Sequence, residues 1–219
     1  MADKVLAREG RVVVRKFKRS DLTDRMAWPP YADSLFAHLN FSLSTFIERE
    51  KWLFTRTVNV GRMYFAIEDE NGRFIGEMSL RDVDAVKKAC RLGIHLASDK
   101  VSLGYGREAL EALLWHYFRG MQWNVIYLDV AGYNVRALRL YERLDFTHLA
   151  TFWRRSVDID ETILADPNRA AIRRFVRHAT AGLEVLHYDM ALARERYLET
   201  RGAGAAPLAE ESPEIERPV

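Results

Sequence analysis

The segment Ser102-Leu103-Gly104-Tyr105-Gly106-Arg107 constrains this chain more than any other, because two glycines one residue apart stand directly before an amphipathic run. Glycine reaches backbone conformations closed to other residues, so such a turn can aim several N–H groups into one space. From Arg107 onward Leu110, Leu113, Leu114, Tyr117 and Phe118 recur at helical spacing and predict a helix with one face on a sheet. A glycine turn at a helix amino end suits a pyrophosphate, since the helix adds partial positive charge there. Tight packing explains many Gly-x-Gly turns equally well.

Around this helix the pattern is that of a mixed α/β chain. Arg11–Phe17 is a β-branched run that predicts a strand, and Ser20-Asp21 supply a helix-capping signal. Trp28-Pro29-Pro30-Tyr31 breaks any helix, and helical spacing resumes over Ser44–Val58 through Phe46, Ile47, Trp52 and Leu53. Gly61–Glu68 and Arg73–Arg81 read as strands joined by Asp69-Glu70-Asn71-Gly72, a hairpin signal. Further strands are expected at Arg91–Ala97, Asn124–Ala131, Phe146–Val157 and Leu183–Ala193, with a short helix over Asn134–Leu144. Pro167 marks a helix start between the last two strands.

With 48% hydrophobic residues in 219, the chain can bury a real core. The expected organisation is an extension over residues 1–9, one domain over 10–200 with an insertion at about 158–182, and a Pro- and Glu-rich tail over 201–219 that reads as poorly ordered. A net charge of +2 demands neither a nucleic-acid nor a membrane partner. The single cysteine, Cys90, excludes an internal disulfide framework and any multi-cysteine zinc site, and the histidines lack paired metal spacing, so no metal is expected. The start lacks a secretory apolar core and no stretch reaches membrane-spanning length, which reads as a cytoplasmic protein.

Three segments together carry a resemblance: Phe74-Ile75-Gly76-Glu77-Met78-Ser79-Leu80-Arg81, the turn Leu103–Gly106 with its helix, and Asn134-Val135-Arg136-Ala137 followed by Leu140-Tyr141-Glu142 and Phe146. In order and spacing the chain resembles the GCN5-related N-acetyltransferase (GNAT) superfamily, most closely its ribosomal-protein N-terminal (alanine/serine) acetyltransferase-like branch. The resemblance implies an α+β, three-layer fold with a mixed, mostly antiparallel splayed sheet flanked by helices. It implies acetyl-CoA as cosubstrate, the pantetheine along the backbone of Ile94, His95 and Leu96. The pyrophosphate would lie on the amides of Leu103, Gly104, Tyr105, Gly106 and Arg107, with Asn134 and Tyr141 flanking the thioester. A homodimer is expected from the family and from an exposed last strand. Two positions depart from the family pattern. Val101 stands where a Gln or Arg is usual, leaving Lys100 or Arg107 to supply charge, and Asp145 replaces the glycine before Phe146.

Acetyl transfer needs a neutral amine, a polarised carbonyl and a protonated leaving thiolate. Tyr141 is the expected general acid, against a reading as a core tyrosine on the stripe with Ala137 and Leu144. Glu77, alternating with Ile75 and Ser79, is the expected base, against an ordinary cross-strand charge pair, and His95 is the second candidate. Trp28, Tyr31, Asp33 and His38, with Phe36, are candidates for the acceptor pocket; packing and helix capping account for the same residues. Arg154, Arg155, Arg169, Arg173, Arg174 and Arg177 read first as solvated faces, making nucleic acid an unlikely partner. The expected activity is N-acetylation of a primary amine by direct attack, the leading acceptor a protein or peptide N-terminus. The alternatives are a polyamine, aminoglycoside or other small amine, or a non-catalytic CoA-binding regulatory protein.

Overall fold

A computed structural model describes residues 5–40, 43–58, 61–156, 159, 162–180 and 182–201. Its strands and α-helices run in the order β1 (Val5–Glu9), β2 (Val12–Arg15), α1 (Asp21–Met26), α2 (Phe46–Thr57), β3 (Arg62–Glu68), β4 (Phe74–Asp84), β5 (Ala89–Leu96) and α3 (Tyr105–Trp115). There follow β6 (Val125–Ala131), α4 (Val135–Arg143), β7 (Thr147–Arg155), α5 (Thr162–Ala165), β8 (Val176–Ala179), β9 (Gly182–Ala193) and α6 (Arg194–Arg201). The architecture is mixed α/β, an open and mostly antiparallel sheet flanked by helices. By internal packing the chain divides into two compact units, one holding the residues up to Pro29, Leu43–Ile126 and those from Ala193, the other Pro30–Ser42 and Tyr127–Leu192.

In the first unit β1 to β5 lie side by side in sequence order, each pair antiparallel. Asn71-Gly72 forms the β3–β4 hairpin as expected, with Gly72 at φ +73° and the Asp69 carboxylate accepting from the Asn71 and Arg73 amides at 3.0 Å each. The apolar stripe is likewise as read: Leu110, Leu113 and Leu114 on α3, and Tyr117 and Phe118 in the π-helical turn that continues it, are all buried. Beneath α1 lies a buried ion pair that the sequence did not announce. Arg15 on β2 grips Asp21 at 2.9 and 2.7 Å and Glu68 at 2.6 Å. Ser20 makes no side-chain cap there; the Asp21 carboxylate instead accepts from the Lys18 amide. Thr45 and Glu48 close a reciprocal capping box on α2. That helix buries Trp52 and Leu53 and leaves Phe46 and Ile47 exposed, so only half of its expected apolar face packs.

Several elements correct the sequence reading. Residues 5–9, read as extension, form β1 and pair with β2 across a turn at Gly10, φ +53°. Residues 194–201 form α6, whose Tyr197 ring lies 4.9 Å from Phe118. The remainder of the expected tail, residues 202–219, lies outside the described residues, as do residues 1–4.

In the second unit β9 pairs antiparallel with β7 and with β8 and neighbours β6. The last strand is therefore interior, not the exposed edge expected from sequence, because β7 and the short β8 cover its hydrogen-bonding groups. Within the 158–182 segment, α5 and a 3-10 helix over Pro167–Phe175 precede β8, with Pro167 in the first turn and Asp166 accepting from the Asn168 amide. Ile163, Val176, Leu183 and Val185 form a small core there with Leu35 and Ile159. The segment thus carries apolar side chains of its own.

Candidate active site

In the first unit, Gly104 is the N-cap residue of α3 and adopts φ +96°, a left-handed conformation open to glycine. Ser102 is also left-handed, at φ +66°. Gly106 lies within the first turn of α3, so Gly104 and Ser102, not both glycines, make the bend. Leu103 is exposed on the turn, and the first amides of α3 point out of the helix end, as any helix must leave them. The charges nearby are distributed otherwise than expected. Lys100 is committed to the buried Asp69 carboxylate at 3.1 Å. Burial alone would raise that carboxyl; hydrogen bonds from the Arg73 amide, Lys100 and the Asn71 amide outweigh it and hold it below its ordinary value. Arg107 points along α3 to Glu111 at 3.0 Å. The cation that reaches the turn is Arg11, whose Nη2 donates to the Leu103 carbonyl at 2.9 Å. No spacing in the sequence links Arg11 to residue 103.

Glu77 and His95 stand directly opposite each other in the β4–β5 ladder, on the face away from Met78 and Leu80. Ile94 and Leu96 flank His95 on β5, opposite Met78 and Gly76. Gly76 is required by close approach: a Cβ there would stand 2.5 Å from the Leu96 side chain and 2.7 Å from the His95 carbonyl. Arg56 of α2 meets Glu77 with a two-pronged contact, Nε to Oε2 at 2.5 Å and Nη2 to Oε1 at 2.8 Å. Its guanidinium also lies over the Trp52 ring at 4.4 Å and the Tyr64 ring at 5.0 Å. Glu77 is thus charge-paired, but to a helix and not across the strands as the ordinary alternative expected. Trp28 donates from its indole to the Phe74 carbonyl at 3.0 Å, stacks on Phe74 at 5.0 Å and meets His95 edge-on at 5.4 Å. Arg56 was missed; its i+4 spacing from Trp52 on an amphipathic helix was the available signal.

In the second unit α4 is fixed at both ends. The Asn134 side chain caps it by accepting from the Ala137 amide at 3.3 Å. At the other end Asp145 is left-handed, at φ +68°, and its amide donates to the Glu142 carbonyl while the Phe146 amide donates to the Tyr141 carbonyl, both at 3.0 Å. These bonds form a Schellman motif, and its usual apolar contact is the Tyr141–Phe146 ring pair at 5.7 Å. Asp145 therefore keeps the turn that a glycine makes in the family pattern.

Tyr141 itself is buried. Burial first, and then the charge of Asp129, push its phenol well above the ordinary tyrosine value. It holds its proton throughout the neutral range. Asp129 also pairs with Arg154 at 2.8 Å, and His187 lies 3.8 Å from the same carboxylate, its ring stacked on Phe152. Burial, and then Arg154, depress His187 below the ordinary imidazole value.

Of the expected acceptor-loop residues, Tyr31 and Asp33 precede a 3-10 helix over Ser34–Leu39 and His38 lies in its last turn. Phe36 from that helix packs on Tyr133 at 6.0 Å and under Arg136 at 5.6 Å, so the segment adjoins the start of α4. The Tyr31 backbone is bridged by Asn40, and His38 is exposed. Asp33 caps the 3-10 helix through the Leu35 amide and also binds Arg169 at 2.7 Å. Its carboxylate is occupied twice over.

Among the described residues no group of three or more His, Cys, Asp or Glu could hold a metal ion. None of their helices is long and apolar enough to cross a membrane. The Gly104 turn fits a diphosphate group through its left-handed bend and the amino end of α3.

In fold the chain is similar to several solved spermidine N-acetyltransferases. One, from Vibrio cholerae in complex with CoA and spermine, superposes with a TM-score of 0.65 at 18% identity, covering 86% of this chain and 98% of that one. The spermidine/spermine N-acetyltransferase SpeG of the same organism, in complex with manganese ions, gives 0.59 at 18%, covering 87% and 96%. A chimera of that enzyme with hSSAT gives 0.61 at 18%, covering 86% and 99%. No curated protein matches. Residues 11–147 match the acetyltransferase (GNAT) domain. That span holds the Gly104 turn, Glu77, Asn134 and Tyr141, and over it the chain belongs to the GNAT family of acetyl-CoA-dependent N-acetyltransferases.

Proposed function

We propose that the chain acetylates a primary amine by direct attack, with Tyr141 as the general acid. The observation that carries this reading is a buried, protonated phenol held by a helix fixed at both ends. Bound acetyl-CoA supplies the activated acetyl group. The amides of Leu103 to Gly106 hold its diphosphate, that of Arg107 being spent on the Gly104 carbonyl at 2.9 Å, and the backbone of Ile94, His95 and Leu96 lies along its pantetheine. Tyr141 presents its O–H to the leaving sulfur, and Asn134 sets the start of the helix that carries it. Glu77 takes the proton from the amine. Arg56 orients that carboxylate and occupies one lone pair on each oxygen, so the transfer uses the lone pairs facing away from α2. His95, directly across the ladder, is the second acceptor.

The favoured acceptor is a small amine of the polyamine kind. Support comes from the fold neighbours, which are spermidine N-acetyltransferases, one of them in complex with spermine. A peptide N-terminus is the second reading, supported by the pairing of Asp33 with Arg169 and of Glu77 with Arg56. Both carboxylates are already neutralised, and a polycation needs uncompensated ones. Tyr31 and His38 are assigned to the acceptor side in either case. The test is thiol release from acetyl-CoA with spermidine, spermine, an aminoglycoside and short peptides with free N-termini. Spermidine or spermine as the best acceptor by kcat/KM supports the first reading. A preference for peptides overturns it in favour of the second, and CoA binding without turnover on any acceptor would leave a binding protein.

A further inference from the structure

We propose that Arg11, at the turn between β1 and β2, binds the pyrophosphate of CoA and replaces the side chain that Val101 cannot supply. The inference rests on the CoA site proposed above and adds a residue to it. Three cations stand near the Gly104 turn, and two are committed elsewhere: Lys100 to the buried Asp69, Arg107 to Glu111 on the helix flank. Of the three side chains, that of Arg11 hydrogen-bonds the turn. Its Nη2 donates to the Leu103 carbonyl at 2.9 Å and would lie 3.1 Å from a Cβ built on Gly104.

The guanidinium is also locked in place. It lies over the Tyr105 ring, 4.3 Å from the centroid, and Glu108 in the first turns of α3 accepts from its Nε at 3.1 Å and its Nη2 at 2.6 Å. The Arg11 amide donates to the second Glu108 oxygen at 2.7 Å. These contacts use Nε and Nη2 and leave the two N–H groups of Nη1 for a ligand, on a side chain 43% exposed. A planar guanidinium with one edge tied down and its other nitrogen free suits a phosphate oxygen. The pairing serves a second purpose. Glu108 would otherwise repel a diphosphate at the same helix end, and Arg11 cancels that charge.

The test measures the affinity of CoA, by calorimetry, and of pantetheine, which carries no phosphate, by displacement, for the wild type, Arg11→Gln, Arg11→Lys and Glu108→Gln. Losing one charge-assisted phosphate contact should weaken CoA about tenfold in Arg11→Gln. Pantetheine should be unaffected, Arg11→Lys intermediate, and Glu108→Gln at least as tight as the wild type. An equal loss for CoA and pantetheine in Arg11→Gln would show that Arg11 only braces the fold and would overturn the proposal. So would a CoA loss in Glu108→Gln matching that in Arg11→Gln. A wild type that binds no CoA would instead sink the parent site, a result distinct from either.

Discussion

At the scale of single residues, the partner of each charged side chain decides what it can do, and partners far apart in sequence leave no periodic trace. Glu77 was legible as a carboxylate on the open face of a strand; the two-pronged grip of Arg56, twenty-one positions away, was not. The same holds for Asp33 with Arg169 and for Arg11 with Glu108. Glu77→Gln tests the base directly, because an amide keeps the shape and gives up the proton-accepting oxygen. The expected outcome is a fall in kcat of about 10²- to 10⁴-fold at unchanged CoA affinity. An unchanged kcat passes the role to His95.

At the scale of elements, the local signals that proved sufficient were those in which a short segment satisfies its own backbone. Asn134 caps α4, Asn71-Gly72 turns the β3–β4 hairpin, and the apolar stripe of α3 is buried as its spacing requires. The elements that escaped were β1, α5, β8 and α6. The two strands are short and gain definition only from β2 and β9, and α6 from Tyr197 against Phe118. Phe46 and Ile47 show the converse, apolar residues at helical spacing that stay exposed. Asp145 is the most instructive single site, since it holds the left-handed turn ending the helix that carries Tyr141. A residue with a Cβ is strained there and glycine is not. Asp145→Gly should stabilise the protein by about 1 kcal/mol, read as a higher denaturant midpoint at unchanged slope, with kcat preserved. A lower midpoint would mean that the aspartate side chain contributes more than the strain costs.

At the scale of the whole molecule, the charge balance and its pairing narrow the function. The net charge is +2, and the arginines that suggested an anionic polymer are largely spoken for: Arg154 by Asp129, Arg169 by Asp33, Arg177 by Glu184, and Arg173 by the Leu164 carbonyl. These contacts build the second unit, so its cations serve the fold before any ligand. Cys90 is similarly internal, bonded to Tyr117, and burial pushes its thiol up to about 11, which leaves no reactive thiolate near neutral pH. The proposed mechanism assigns proton supply to the leaving sulfur to Tyr141, a phenol whose burial keeps it protonated. The direct test is acetyl-CoA turnover by wild type and Tyr141→Phe with the best acceptor, alongside the CoA dissociation constant of each. The account predicts a kcat lower by about 10²- to 10⁴-fold in Tyr141→Phe with CoA affinity unchanged; equal kcat in the two proteins would contradict it.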